Sequence, residues 1–237
     1  MSGLSIVIPL FNEKKNLKRL VQLIRKSILI KNYEIILIDD DSYDGSKQVL
    51  KNLQKNYKKV KFFIRKKKPR DLSRSCVMGF LKSKYENILV MDGDLQHNPR
   101  EINKLYNTFQ KYNCDVVVGS RELLLKKNTG LKFYRLVSSI ILILLVNLFL
   151  GFKTTDPMSG FFIFKKKLFL RLKNKLFNKG YKILLDIIYS TQKKIIVRDV
   201  FIRFKSRKKG YSKMSFKIIF LLVSAITSKL IQKLIKN

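Results

Sequence analysis

Val90-Met91-Asp92-Gly93-Asp94-Leu95-Gln96 is the stretch on which the reading of this chain turns. The apolar run in front of it, Asn87-Ile88-Leu89-Val90-Met91, predicts a buried strand, and that run stops at two carboxylates separated by one glycine. In open α/β sheets, ligands bind beyond the carboxyl ends of the strands. Two acids spaced by Gly93, which lets the backbone turn tightly, suit a hard divalent cation. Mg2+ is held in this way, by one or two carboxylates plus substrate phosphates. Gln96 adds a neutral oxygen close by. An Asp-x-Asp alone is often only a turn, so its weight comes from what flanks it.

Upstream the same design repeats. Leu4-Ser5-Ile6-Val7-Ile8-Pro9-Leu10 predicts a strand, with Pro9 near its end, where a missing N–H is tolerated. Phe11-Asn12-Glu13 leads into a helix marked by Leu17, Leu20, Val21 and Ile24. A second strand, Tyr33 to Ile38, delivers Asp39-Asp40-Asp41-Ser42-Tyr43-Asp44-Gly45 into a turn. A helix to about Lys55, a strand over 60–64 and a basic loop, Lys66-Lys67-Lys68-Pro69-Arg70, come next. Asp71 then caps a helix running to Leu81. Beyond Gln96 lie a helix from about Pro99 to Gln110 and a strand over 115–119. Strands alternating with helical patterns predict an α/β fold with a mostly parallel central sheet and flanking helices. In such a sheet all the acid clusters fall on one edge.

The second half changes character. Arg135 precedes an apolar segment, 136–152, close to the ~17-residue lower limit for crossing a bilayer. Ser138, Ser139 and Asn147 interrupt it and polar motifs flank both ends, so it reads as a helix lying in the membrane interface, with a buried core helix as the alternative. Thr155 to Phe162 predicts a turn into a strand, 166–178 and 180–192 helices, and 195–204 a strand. A basic loop spans 204–213, and 216–235 reads as a basic amphipathic helix suited to an anionic leaflet.

The charge narrows the partners. The 237 residues carry 51 Lys and Arg against 16 Asp and Glu, a formal charge of +35. Nucleic acid, an anionic membrane or phosphate-bearing substrates would each match it. Nucleic acid is disfavoured, because acids converging on one sheet edge would repel a phosphate backbone. A non-catalytic membrane scaffold has no need of the Asp92-Gly93-Asp94 turn. Two cysteines, Cys76 and Cys114, imply no disulfide framework. His97, the sole histidine, reads as leading into the next helix rather than as a ligand. No signal peptide is read at the start, since Pro9, Asn12 and Glu13 break up the apolar residues there.

A resemblance now emerges. Ile8-Pro9-Leu10-Phe11-Asn12-Glu13, the acid turn 39–45, Arg70-Asp71-Leu72-Ser73, Asp92-Gly93-Asp94-Leu95-Gln96-His97, Gly119-Ser120-Arg121, Asp156-Pro157-Met158-Ser159-Gly160-Phe161-Phe162 and Gly210-Tyr211-Ser212-Lys213 occur in that order. The set resembles the family 2 glycosyltransferases of the dolichol-phosphate (polyprenol-phosphate) mannosyltransferase type, from Leu4 to about Lys213. The resemblance implies a GT-A fold and inverting transfer of a hexose from a nucleotide sugar to a polyprenyl phosphate. It favours GDP-mannose as donor, with a UDP-sugar such as UDP-glucose as the alternative. Pro9, Phe11 and Glu13 would line the nucleotide pocket, though the family more often has Tyr where Phe11 stands. Asp40 would contact the base or ribose. Asp92 and Asp94 would serve the metal–diphosphate, Mg2+ or Mn2+, with Gln96 as a further ligand. Arg121, Arg135 and Arg207, with Ser212 and Lys213, would hold phosphates. Asp186 stands where many relatives have Glu. The expected organisation is a catalytic domain over 1–213, with a nucleotide-sugar half (1–120) and an acceptor half (121–213), then the helix 214–237. Many relatives carry transmembrane helices after the catalytic domain, and none is read in this sequence. Attachment to the cytoplasmic face of a membrane is therefore expected to fall to the two apolar segments or to a partner subunit.

Overall fold

A computed structural model of the chain describes residues 3–121, 133–177, 180, 182–191, 194–203, 224 and 227, with the backbone alone for 133–136 and 138. Among the described residues seven strands form one sheet: β1 (Leu4–Leu10), β2 (Tyr33–Asp39), β3 (Val60–Ile64), β4 (Asn87–Val90), β5 (Val116–Ser120), β6 (Phe162–Lys165) and β7 (Val197–Phe201). Their order across the sheet is β3-β2-β1-β4-β6-β5-β7. Every pairing is parallel except the two made by β6, which runs antiparallel to both β4 and β5. The mostly parallel sheet predicted from the alternating pattern is present, and β6 interleaves a late segment between two early ones.

Helices cover both faces. They are α1 (Lys14–Ser27), α2 (Ser46–Asn56), α3 (Leu72–Lys82), α4 (Glu101–Lys111), α5 (Phe133–Leu150), α6 (Lys166–Leu172) and α7 (Ile183–Tyr189). Alternate strand residues point to opposite faces, and the core divides accordingly. Ile6, Ile8, Ile35 and Leu37 pack with Leu17, Leu20 and Ile24 of α1, Leu50 of α2 and Leu105 of α4. Val7, Ile36 and Ile38 pack with Phe80 of α3, Phe169 of α6 and Ile187 of α7. Asp71 caps α3 as expected, accepting from the Arg74 N–H at 3.0 Å. Both cysteines are buried thiols, and burial pushes the Cys76 thiol well above its ordinary range.

Several boundaries differ from the pattern. α4 begins at Glu101, two residues after Pro99. α6 stops at Leu172, where the Lys175 N–H closes a tight turn on the Leu172 carbonyl at 2.7 Å. α7 and β7 are also shorter than predicted, β7 because its partner β5 offers five residues to pair with. The apolar segment is the helix α5, and neither of its two predicted settings describes it alone. Ile143, Val146 and Leu150 are buried, the last two against Met158 and Leu185, whereas Ile141, Leu144 and Leu148 are exposed. Among the described residues no helix is long and apolar enough to cross a membrane.

Candidate active site at the carboxyl edge of the sheet

The parallel strands end at a cavity of about 430 Å³ lined by Pro9, Leu10, Phe11, Glu13, Asp40, Arg70, Asp71, Leu72, Ser75, Asp92, Gly93 and Asp94. Pro9, Phe11, Glu13, Asp40, Asp92 and Asp94, drawn from three separate turns of the sequence, therefore share one wall. Phe11 meets Tyr43 edge to face, with centroids 5.8 Å apart, and the Arg70 guanidinium lies 4.7 Å from the Phe11 centroid. The rim is thus an aromatic pair backed by a cation.

The acid turn after β2 divides its labour. Asp39 builds the turn, accepting from the Ser42 N–H at 3.0 Å and the Ser42 hydroxyl at 2.5 Å. Asp41 pairs outward with Lys68 at 2.6 Å. Asp40 faces the cavity, gripped by Arg65 Nη2 at 2.6 Å and by the Asp71 N–H at 2.7 Å. Burial raises its pKa above the ordinary carboxylate value, against the lowering effect of those two donors. A carboxylate offers about four acceptor positions, so two contacts leave it able to accept from a ligand. Arg65, which no motif singled out, also donates to the carbonyls of Lys67 and Pro69 at 2.5 and 2.9 Å. One guanidinium thereby fixes both Asp40 and the loop carrying Arg70.

Asp92 stands between two unlike neighbours. His97 Nε2 lies 3.4 Å from Asp92 Oδ2, and the imidazole is buried, stacked on Phe161 with centroids 5.0 Å apart. His97 thus does more than lead towards the next helix, because its ring packs against the Asp92 carboxylate. On the other side is Gly160, where an added methyl group would overlap the Asp92 carboxylate. Burial alone would raise the pKa of Asp92, but His97, Lys182 and Arg121 together bring it below its ordinary value. Gly93 lies in the expected turn, and what demands a glycine there is crowding: a methyl group would collide with Leu10, while the left-handed backbone falls at Leu95, with φ 64°. Asp94 is buried, and its Oδ1 accepts from the Gln96 N–H at 3.1 Å.

Arg121 reaches the same place from the end of β5. Its Nε and Nη2 donate to the two oxygens of Asp156 at 2.7 and 2.9 Å, a bidentate pair in which Asp156 has no exposed surface. Asp199 of β7 fixes the preceding turn by accepting from Thr154 Oγ1 at 2.5 Å and from the Thr155 N–H at 2.8 Å. Lys182 carries no local signature in the sequence. Its Nζ donates to the Met158 carbonyl at 3.2 Å. Burial, and then the nearby Arg121 charge, bring its pKa down to about 8. Asp186 serves the fold, accepting from the Phe177 N–H at 3.0 Å. The side chain of Arg135 lies outside the described residues, as do Arg207, Ser212 and Lys213.

Among the described residues no three His, Cys, Asp or Glu side chains converge as a metal cage. The donors present are two carboxylates in a cavity wall with a Gln nearby. That set fits a hard cation that keeps part of its coordination for substrate phosphates, and does not fit a closed structural site.

A mostly parallel sheet flanked by helices, bringing acids from three strand ends to one cavity, defines an α/β domain of the GT-A type. Residues 5–172 match the family described as Glycosyl transferase family 2, and the chain belongs to that family. It is 34% identical over 218 residues to the dolichol-phosphate mannosyltransferase of Pyrococcus furiosus, covering 91% of this chain and 60% of that protein. Dolichol-phosphate mannosyltransferases of Mycosarcoma maydis and Saccharomyces cerevisiae are 31% and 28% identical over 91% of this chain, with 75% and 82% of their own lengths covered. The chain therefore spans less than two thirds of the Pyrococcus relative. Glucosyl-3-phosphoglycerate synthase from Mycobacterium tuberculosis, solved with phosphoglyceric acid, superposes with a TM-score of 0.71 at 14% identity, covering 97% of this chain and 79% of that one. That likeness is one of fold.

Proposed function

We propose that the chain transfers a hexose, mannose from GDP-mannose, to a polyprenyl phosphate with inversion, at the surface of a membrane. The observation that carries this reading is the convergence of Pro9, Phe11, Glu13, Asp40, Asp92 and Asp94 on one cavity, in a chain similar to dolichol-phosphate mannosyltransferases. At about 430 Å³ the cavity lies within the range of small-ligand sites. Phe11 and the Arg70 guanidinium offer the base a face to stack on, while Asp40 accepts from base or ribose. Asp92, Asp94 and Gln96 would hold the cation, Mg2+ or Mn2+, which would supply Lewis-acid stabilisation of diphosphate charge.

The acceptor brings its own nucleophile. A phosphate monoester has a second pKa of about 6 and is largely ionised at neutral pH, so no strong general base is required. What the protein supplies is position and charge. Arg121, locked by Asp156, is a rigid cation beside Asp92, and a preorganised cation stabilises charge without reorganising at the moment of transfer. Arg135, Arg207, Ser212 and Lys213 complete the phosphate contacts in this reading. Inversion requires in-line attack on the anomeric carbon, which is chiefly a matter of orientation.

The test supplies purified protein with Mg2+ or Mn2+, a short polyprenyl phosphate, and radiolabelled GDP-mannose and UDP-glucose in parallel. Metal-dependent transfer of label from GDP-mannose into the organic phase is expected, and Asp94→Asn should abolish it without unfolding the protein. Label from UDP-glucose alone would replace the donor. Unchanged turnover in Asp94→Asn would overturn the site.

A further inference from the structure

The cavity wall is tied to the second half of the chain through one side chain. Asp71, on that wall, caps α3 with one carboxylate oxygen: Oδ1 accepts from the Arg74 N–H at 3.0 Å. The other oxygen points away from the helix. Oδ2 accepts from the N–H of Gly180, 109 residues further along the chain, at 2.6 Å. The Gly180 carbonyl completes the exchange by accepting from the Ser73 N–H at 2.9 Å. The Asp71 N–H donates to Asp40 Oδ2 at 2.7 Å. Asp71 therefore holds Asp40 on one side and the approach to α7 on the other.

A helix cap needs one oxygen, and asparagine or serine provides it as well as aspartate does. Only a carboxylate offers two acceptor oxygens for two N–H groups, so the bond to Gly180 is what calls for an acid at this position. Its partner is equally particular. Gly180 is buried with φ 90°, in the left-handed region that favours glycine. From there the chain enters α7, which begins at Ile183. Ile183, Leu184 and Ile187 share a core with Phe80 of α3, and Leu185 packs with Val146 and Leu150 of α5. Apolar contact is non-directional and leaves a helix free to slide, whereas a hydrogen bond fixes distance and direction. The two bonds to Gly180 set where α7 starts relative to the cavity wall.

In the function proposed above, the cavity wall belongs to the nucleotide sugar, while α7, α5 and the 156–160 loop belong to the acceptor half. In-line transfer needs the two substrates at a fixed separation, and an error of about 1 Å can cost about 10²-fold in rate. We propose that Asp71 is a positioning residue for the transfer: it fixes α7, and with it the acceptor side of the site, against the wall that holds the donor. This rests on the acceptor reading given above.

The test compares the full-length wild type with Asp71→Asn and Asp71→Ser, which keep an oxygen for the cap and lose the second, and with Gly180→Ala, which strains the partner. Amide hydrogen exchange is read first. Exchange in α7 should be about tenfold faster in Asp71→Asn, while α3 and β1 exchange as in wild type and so report an intact fold. Calorimetry with GDP and Mg2+ and initial rates with GDP-mannose and a short polyprenyl phosphate follow. In both Asp71 variants kcat/KM for the polyprenyl phosphate should fall by about tenfold or more, with GDP affinity within threefold of wild type. Gly180→Ala should show the same pattern, and Asp71→Asn combined with Gly180→Ala should lose no more than either alone, because both break one contact. Unchanged α7 exchange in Asp71→Asn overturns the proposal, as does a wild-type acceptor constant, or a loss of GDP affinity as large as the loss toward the acceptor. Asp71-dependent exchange in α7 of a wild-type protein that transfers to no polyprenyl phosphate would uphold the tie and remove the acceptor, which separates this proposal from the one it rests on.

Discussion

A carboxylate with a histidine on one flank and a bare backbone on the other has little freedom, and that is the condition of Asp92. Gly160→Ala should push it away from His97 and out of register with Asp94. Misplacement of about 1 Å at such a centre can cost about 10²-fold in rate, so the variant should lose transfer by that order while its melting temperature stays near that of wild type. Activity at the wild-type level would show that Asp92 needs no such packing. At this scale the acids were legible in the sequence, because the residue type and the Asp-x-Asp spacing carry the chemistry by themselves. His97, Arg65 and Lys182 were not. Their importance depends on what the fold brings beside them, and a lone histidine or one lysine among many has no local signature.

Elements position these side chains through their ends. β3 ends one residue before Arg65, whose side chain clamps Asp40 at the end of β2 and the carbonyls of the following loop. Both members of the pair are almost fully buried, 7% exposed each. Removing one partner of a buried ion pair leaves an uncompensated charge and costs about 3–5 kcal/mol. Arg65→Ala should therefore lower the unfolding free energy by that order in urea titrations and weaken nucleotide binding; a loss within experimental error would mean that Asp40 is held by the Asp71 N–H alone. Strand and helix cores were readable from periodicity. Their ends were not, because a turn such as Leu172–Lys175 is set by hydrogen bonding rather than by hydrophobic pattern. α5 shows the same limit: its composition is apolar almost throughout, and only packing against Met158 and Leu185 decides which stripe is buried.

Taken whole, the molecule combines a +35 charge with an uncovered apolar stripe, Ile141, Leu144 and Leu148, of which Leu148 is 76% exposed. Burying one such side chain contributes about 1.5–3 kcal/mol, and anionic lipid adds attraction for basic residues. The triple change Ile141→Ser, Leu144→Ser, Leu148→Ser should weaken co-sedimentation with anionic vesicles by more than tenfold, leaving nucleotide affinity unchanged; undiminished sedimentation would assign membrane binding to other segments. The sheet was legible as mostly parallel, because alternation of strand and helix signals it, but the antiparallel insertion of β6 was not, since nothing local to 162–165 says which strands it will join. That insertion has a consequence for how the chain is made. As it leaves the ribosome, β1 to β4 can assemble early, but β4 then waits with one edge bare, and β5 cannot cover it because it reaches β4 only through β6. A bare edge strand is a template for pairing with a wrong neighbour. The interval between the emergence of β4 and that of β6 is therefore when a nascent chain is most exposed to mispairing, and a chaperone's protection would count most there.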